Sequence, residues 1–270
     1  MRITFIGGGN MASAMIGGLR RQGFSAAGLQ VVEPNDAARA RLTEAFGVRC
    51  AATVDAAAAN SEVLVLAVKP QQMRAAVAPL TAYLDRQIVL SIAAGLRLVD
   101  LSRWLDGYRR IVRCMPNTPA SIGAGVSGLY AAPEVDAIGC GYAEKAMQAV
   151  GGTVWLAREE DMDAVTAISG SGPAYVFYFM EAMMQTALDM GLSAEAAKKL
   201  TIDSFAGAAL LAEHSTETIE TLRKQVTSKG GTTEAALDAF DAHRVGAGIY
   251  QGVLAAQARG RELGELLGKE

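Results

Sequence analysis

The segment Arg2–Met15, RITFIGGGNMASAM, runs from a short apolar stretch through three consecutive glycines straight into a helical pattern, with no polar spacer. Ile3, Phe5 and Ile6 read as the end of a buried strand, and Gly7, Gly9 and Ala12 fill the three positions of a G-x-G-x-x-G/A turn. Each position has its own steric task. Gly7 permits a tight turn, Gly9 lets a pyrophosphate approach the backbone, and a small residue at Ala12 lets the helix pack closely on the strand. Unpaired N–H groups at the start of that helix, together with its dipole, favour phosphates. A strand, a glycine turn and a helix in this order are the opening unit of a dinucleotide-binding fold.

Residues beyond the first helix extend that unit. Leu29–Glu33 reads as a second strand, Asp36–Phe46 as a helix, and Glu62–Val68 (EVLVLAV) as a strand buried on both faces and ended by Lys69-Pro70. A helix over Gln71–Leu80, a strand over Ile88–Ile92, a short helix over Leu98–Leu105 and a strand over Ile111–Met115 continue the alternation. Val126–Tyr130 and Thr153–Leu156 add strands around a helix over Glu134–Val150. This alternation predicts a doubly wound α/β sheet with its ligand crevice at the carboxyl ends of the strands. Near Arg158 the composition changes. Beyond it the pattern is helical throughout, with stretches at Glu159–Ile168, Ala174–Met190, Ala194–His214, Ile219–Val226, Glu234–Phe240 and Val245–Leu267. We therefore expect a dinucleotide-binding domain over residues 1–158 and an all-α domain over 159–270.

Totals exclude several classes. A net charge of -3 gives no basic footprint for nucleic acid. Cys50, Cys114 and Cys140 lack C-x-x-C spacing and sit among apolar residues, as core thiols of a reduced, cytoplasmic protein do. Apolar runs fall short of the roughly 18 residues of a membrane span, and neither histidine, His214 or His243, has a carboxylate at metal-ligand spacing. No resident metal is expected.

Five segments fall where ligands would lie. Glu33 can accept from a ribose 2′-OH and would repel a 2′-phosphate, whereas Asn35, Arg39 and Arg41 favour the phosphate, so NAD and NADP both stay open. Ala67-Val68-Lys69-Pro70 places a cation after a buried strand, and Ser91–Gly95 (SIAAG) offers small residues against which a nucleotide can pack. Arg113–Pro119 (RCMPNTP) fixes Asn117 and Thr118 between two prolines, either for a ligand or as a structural loop. Val226–Glu234 (VTSKGGTTE) leads glycines and hydroxyls into a helix N-terminus, which makes an anion nest or simply a helix cap. A further stretch, Ser169–Tyr175 (SGSGPAY), enters a very apolar helix whose small residues allow close packing, between subunits among other places.

Taken in order, IGGGNM (6–11), AVKP (67–70), SIAAG (91–95), RCMPNTPA (113–120), SGSGPAY (169–175) and VTSKGGTT (226–233) resemble the Δ1-pyrroline-5-carboxylate reductase family over essentially the whole chain. The resemblance implies a Rossmann domain followed by a helical dimerisation domain, and reduction of a cyclic imine by NADPH or, alternatively, NADH. It also implies homodimers that can assemble into a larger ring such as a decamer. Carried over residue by residue, it assigns Gly7, Gly9, Asn10, Met11 and Ala12 to the pyrophosphate and nicotinamide side, and Asn35 to the adenosine ribose or its phosphate. Ala67, Val68, Lys69, Pro70, Ala93 and Ala94 would flank the cofactor, with Gln225 as a further contact. Ser228, Gly231, Thr232 and Thr233 would hold the substrate carboxylate, mainly through the N–H groups of Gly231, Thr232 and Thr233. The Thr233 hydroxyl would face the ring nitrogen as the catalytic group, and Glu159 would be a further substrate contact. Two positions depart from the pattern. Many relatives have proline at Lys229, and an asparagine that often touches the cofactor is replaced around Val54-Asp55.

The residues suit an imine. A protonated C=N is already electrophilic, so orientation carries most of its reduction, whereas an alcohol dehydrogenase needs a general base. No lysine occurs between Lys145 and Lys198, the region where related β-hydroxyacid dehydrogenases carry theirs.

Overall fold

The computed structural model describes residues 1–269, the side chain of Ala59 excepted. Its first half is built on an eight-stranded sheet. In chain order the elements are β1 (Ile3–Ile6), α1 (Asn10–Arg21), β2 (Leu29–Val32), α2 (Asp36–Phe46), β3 (Arg49–Ala51), α3 (Ala56–Ala59), β4 (Val63–Leu66) and α4 (Met73–Val77). Next come β5 (Ile88–Ser91), α5 (Leu98–Trp104), β6 (Ile111–Met115), β7 (Gly125–Ala131), α6 (Ala137–Gln148) and β8 (Gly151–Trp155). The helical half comprises α7 (Asp161–Val165), α8 (Gly172–Asp189), α9 (Ala194–His214), α10 (Ile219–Gln225), α11 (Thr232–Ala242) and α12 (Val245–Leu267), with a π-helical turn over Thr166–Gly170.

Strand order is β3-β2-β1-β4-β5-β6-β7-β8, parallel from β3 to β6. The strands β1, β4 and β5 are buried along their whole length, which is why they carry nearly continuous apolar runs instead of alternation. Alternate residues feed two cores. Phe5, Val63, Val65 and Leu90 pack with Met15, Ile16 and Leu19 of α1 on one face, while Leu64, Leu66 and Val89 pack with Met73, Val77 and Leu101 on the other. The crossover from β1 to β2 goes to one side and that to β4 to the other, so the order reverses beside β1. A crevice opens at such a switch point.

Four features depart from the sequence reading. β7 runs antiparallel to β6, with β8 parallel to β7. A parallel crossover needs roughly a dozen residues, and the proline-bracketed link 116–124 is too short for one. The three-residue edge strand β3 and the alanine turn α3 are additions to the expected elements, since neither has a pattern of its own. The helix expected over Gln71–Leu80 is three pieces, with 3-10 turns at Pro70–Gln72 and Ala78–Tyr83 on either side of α4. Pro79 cannot donate to the ladder that would make it continuous.

By packing, the chain forms two compact units, Met1–Pro173 with Ala255–Glu270, and Ala174–Leu254. This division differs from a boundary at 158/159. Met162 and Ala167 are buried, and Leu267 packs against the core that holds Leu64 and Leu101, so α7, the π turn and the end of α12 belong with the sheet. Cys114 is a core thiol pushed up to about 12 by burial, against a weaker opposing hydrogen bond with Ser127. Among the described residues no helix is long and apolar enough to cross a membrane.

The second unit has little interior. Ala197 and Thr201 are its buried residues among those described, whereas Phe177, Tyr178, Leu211 and Tyr250 are 64%, 72%, 57% and 62% exposed. Apolar surface on this scale needs a protein partner, and a second copy of the chain supplies the same helices. Light scattering at micromolar concentration is expected to give a mass of at least two chains; a monomer mass would contradict this.

Candidate active site

Register places the candidate residues. Ile6 pairs with both Val32 and Leu66, and Leu66 pairs with Ser91, so Gly7, Glu33, Ala67 and Ile92 leave the sheet side by side along one edge. Gly7 has φ +100, and a Cβ there would lie 2.7 Å from the Ala67 carbonyl oxygen and 2.8 Å from Cγ1 of Val68. Its N–H donates to Val32 O at 2.8 Å, and Ala67 N–H donates to Ile6 O at 2.8 Å. Only glycine fits this junction. Gly9 is the opposite case: it caps α1 with no side-chain hydrogen bond, it is exposed, and a Cβ there would meet nothing within 4 Å. The first turn of α1 therefore presents N–H groups without intrahelical partners to open space. It carries no acidic residue, while Arg20 and Arg21 sit at the other end, so the electrostatics suit an anion. Ala12 is fully buried against the sheet, Met11 packs partly into the core, and Asn10 is exposed.

Neighbouring loops complete the edge. Asn35 caps α2, its Oδ1 accepting from Ala38 N–H at 2.9 Å, and Gly47 closes the helix in the left-handed conformation. Lys69 is exposed at the end of β4 and Ala94 at the end of β5, whereas Ala93 is buried and Val68 packs partly against the second core. Two glutamates hold these loops. Glu33 accepts from Gly8 N–H and Asn35 N–H, both at 2.9 Å. Glu159 accepts from Leu98 N–H at 2.7 Å and from the Arg113 guanidinium at 2.8 Å, with Arg113 almost completely buried. Glu159 thus ties the segment after β5 to β6, a contact that its sequence position does not announce.

The RCMPNTP segment is structural. Asn117 donates to Ser169 O at 3.1 Å and accepts from Val126 N–H at 3.0 Å, bridging the start of β7 to the π turn, while a Cβ on Gly170 would strike Met115. The two motifs thus explain each other's composition. Both amide atoms of Asn117 are spent on backbone, and no ligand role is needed to account for them.

The remaining candidates lie in the helical unit. Gln225 is exposed at the end of α10. The chain then turns at Ser228–Gly231, with Gly230 at φ +72, and enters α11 behind a Gly231 cap that offers no side chain. Glu234 reaches back to accept from Gly230 N–H at 2.6 Å. Gly231 N–H donates to Ser228 O at 2.9 Å, so it closes the turn and is not open for a carboxylate as expected. Thr232 and Thr233, as the first residues of α11, carry N–H groups without intrahelical partners. Ser228, Lys229 and Thr232 are exposed and Thr233 is half-buried. The loop is a preset turn feeding the N-terminus of an 11-residue helix, suited to a small anion.

Removing the charge that faces Arg113 strands a buried cation. Glu159→Gln is expected to destabilise the fold by about 3 kcal/mol in urea unfolding, and a double variant with Arg113→Gln should recover part of it. No loss would show that the pair is dispensable.

Comparison with known proteins shows the family. Residues 159–263 match the family model described as pyrroline-5-carboxylate reductase dimerisation, and residues 2–95 match that of NADP oxidoreductase, coenzyme F420-dependent. The helical half is thus a dimerisation domain and supports a homodimer. The pyrroline-5-carboxylate reductase of Pseudomonas aeruginosa is 45% identical over 99% of this chain and 98% of its own length. The solved structure of the Coxiella burnetii pyrroline-5-carboxylate reductase superposes with a TM-score of 0.91 at 37% identity, covering 97% of this chain and 98% of that one. The Plasmodium falciparum pyrroline carboxylate reductase, solved with NADP bound, superposes at 0.86 with 25% identity, covering 98% of both chains. With a near full-length relative at this identity, the chain belongs to the pyrroline-5-carboxylate reductase family.

Proposed function

We propose that this chain reduces L-Δ1-pyrroline-5-carboxylate to L-proline, the last step of proline biosynthesis, with NADPH as the hydride donor. The observation that carries this reading is the open glycine turn ahead of α1 in a chain 45% identical to a pyrroline-5-carboxylate reductase. The residues fit the cofactor. Gly7 is packed against the neighbouring strand end, while the volume above Gly9 is free of any Cβ. Gly9, Asn10, Met11 and Ala12 would hold the pyrophosphate through the helix terminus, with Asn35 at the adenosine ribose phosphate and 67–70 and 93–94 along the dinucleotide. When bound, the reduced nicotinamide supplies the hydride added to the C=N carbon.

On the substrate side, Ser228 and the first N–H groups of α11, at Thr232 and Thr233, would take the carboxylate, and the Thr233 hydroxyl would align the ring nitrogen. Little else is required of acid–base groups, because the protonated imine is electrophilic and the product amine keeps its proton. Orientation by a rigid turn then carries the catalysis. The absence of lysine between Lys145 and Lys198 argues against an alcohol substrate, which needs a base. Gln225 would be a further contact with the dinucleotide, and Glu159 a further contact on the substrate side besides its bond to Arg113. Dimers would join into a larger ring such as a decamer, in the cytoplasm.

Two variants separate binding from chemistry. Gly9→Val should abolish NADPH binding in a fluorescence titration, since its side chain occupies the volume left for the pyrophosphate; unchanged affinity would misplace the cofactor. Thr233→Ala should bind NADPH normally yet lose roughly 10- to 100-fold in kcat/KM, the scale of one stranded buried polar partner. Full activity in that variant would remove Thr233 from the mechanism.

A further inference from the structure

Glu33 directly follows β2, where an acidic side chain commonly reads the adenosine ribose and discriminates against a 2′-phosphate. Here its carboxylate is engaged along the sheet edge. One oxygen accepts from Gly8 N–H and the other from Asn35 N–H, each at 2.9 Å. The side chain therefore spans from the end of β2 to the glycine turn after β1. A Cβ on Gly8 would come within 2.5 Å of Leu42 Cδ1 and 3.4 Å of both Cγ and Oε2 of Glu33, so the bridge is packed as well as bonded. The main chain of Glu33 is held too. Its N–H donates to Ala51 O at 2.9 Å, and its carbonyl accepts from the Arg39 guanidinium at 2.7 Å, which also bonds Pro34 O and pairs with Asp36.

We infer that Glu33 is a positioning residue for the dinucleotide, fixing the glycine turn and Asn35 relative to each other, and not a reader of the ribose that selects against a 2′-phosphate. Two charge-assisted bonds from backbone N–H groups draw the carboxylate's charge onto the protein. The pyrophosphate turn and the adenosine side of the dinucleotide site then both depend on one side chain. Loss of the bridge disturbs the pyrophosphate turn, which NADPH and NADH share, so both are weakened, and it frees Asn35, which stands at the ribose phosphate of NADPH alone.

The inference rests on the dinucleotide site proposed above, and direct binding tests it without turnover. Wild type and Glu33→Gln are titrated with NADPH and with NADH, monitored by nicotinamide fluorescence. Glutamine keeps the length but offers one acceptor where two N–H groups need one each. Both dissociation constants should rise, about tenfold for one lost hydrogen bond, that for NADPH by at least as much as that for NADH. In steady state the KM for dinucleotide should rise while the KM for imine holds, a split that general loosening of the fold would not give. Weakened NADH with NADPH unchanged or tightened would make Glu33 the ribose reader and overturn the inference. Unchanged constants for both would overturn it as well. If Glu33→Gln does not fold, Glu33→Asp, which keeps the charge and loses the reach, carries the same comparison. Wild-type protein that binds neither dinucleotide would overturn the dinucleotide site itself, a result read before any variant is made.

Discussion

Where β1 and β4 part, the backbone of Gly7 lies so close to the Ala67 carbonyl that no side chain fits between them. That one contact organises the ligand-binding half of the chain. It lets β1 end in a turn sharp enough to start α1 at the sheet edge, and it makes Gly9, two residues later, face open space. The helix terminus it exposes is the feature that can take a phosphate. Moving either strand end apart to admit a Cβ would shift the register Ile6–Val32 and Ile6–Leu66 on which every neighbouring loop is hung.

Backbone N–H groups held by carboxylates recur around the candidate sites. Glu33 bonds two of them, Glu159 bonds one together with Arg113, and Glu234 bonds Gly230. Each bond fixes a loop that secondary structure leaves undetermined. Gly8, one partner of Glu33, and both partners of Glu159 lie far away in sequence, so no local pattern could reveal them. Glu234, by contrast, sits within the motif that it closes.

Legibility tracks locality. The helix over Asp36–Phe46 is readable because Asn35 caps it and Gly47 ends it, and the helix over Ala194–His214 because Ser193 opens it with a side-chain bond to Ala196 N–H. The strand over Ile111–Met115 stands out by its apolar run and by Pro116. By contrast, β3 exists through its pairing with β2 alone, and the antiparallel turn into β7 depends on the length of a link. The packing boundary is hidden for the same reason. Gly264 of α12 approaches Gly95 so closely that a Cβ there would lie 2.7 Å from its carbonyl, and nothing near either residue predicts the other. In the candidate site the glycine turn and the helix-entry loop are legible as motifs. What each N–H group does is not, as the bond from Gly231 to Ser228 illustrates.

The central claim is that a preset dinucleotide turn and a carboxylate-binding helix terminus serve reduction of a five-membered cyclic imine. Absorbance-monitored oxidation of NADPH by the purified protein with Δ1-pyrroline-5-carboxylate, beside the six-membered imine, tests it most directly. Rapid turnover of the five-membered substrate is the predicted result; tight NADPH binding without turnover of that substrate would contradict the account.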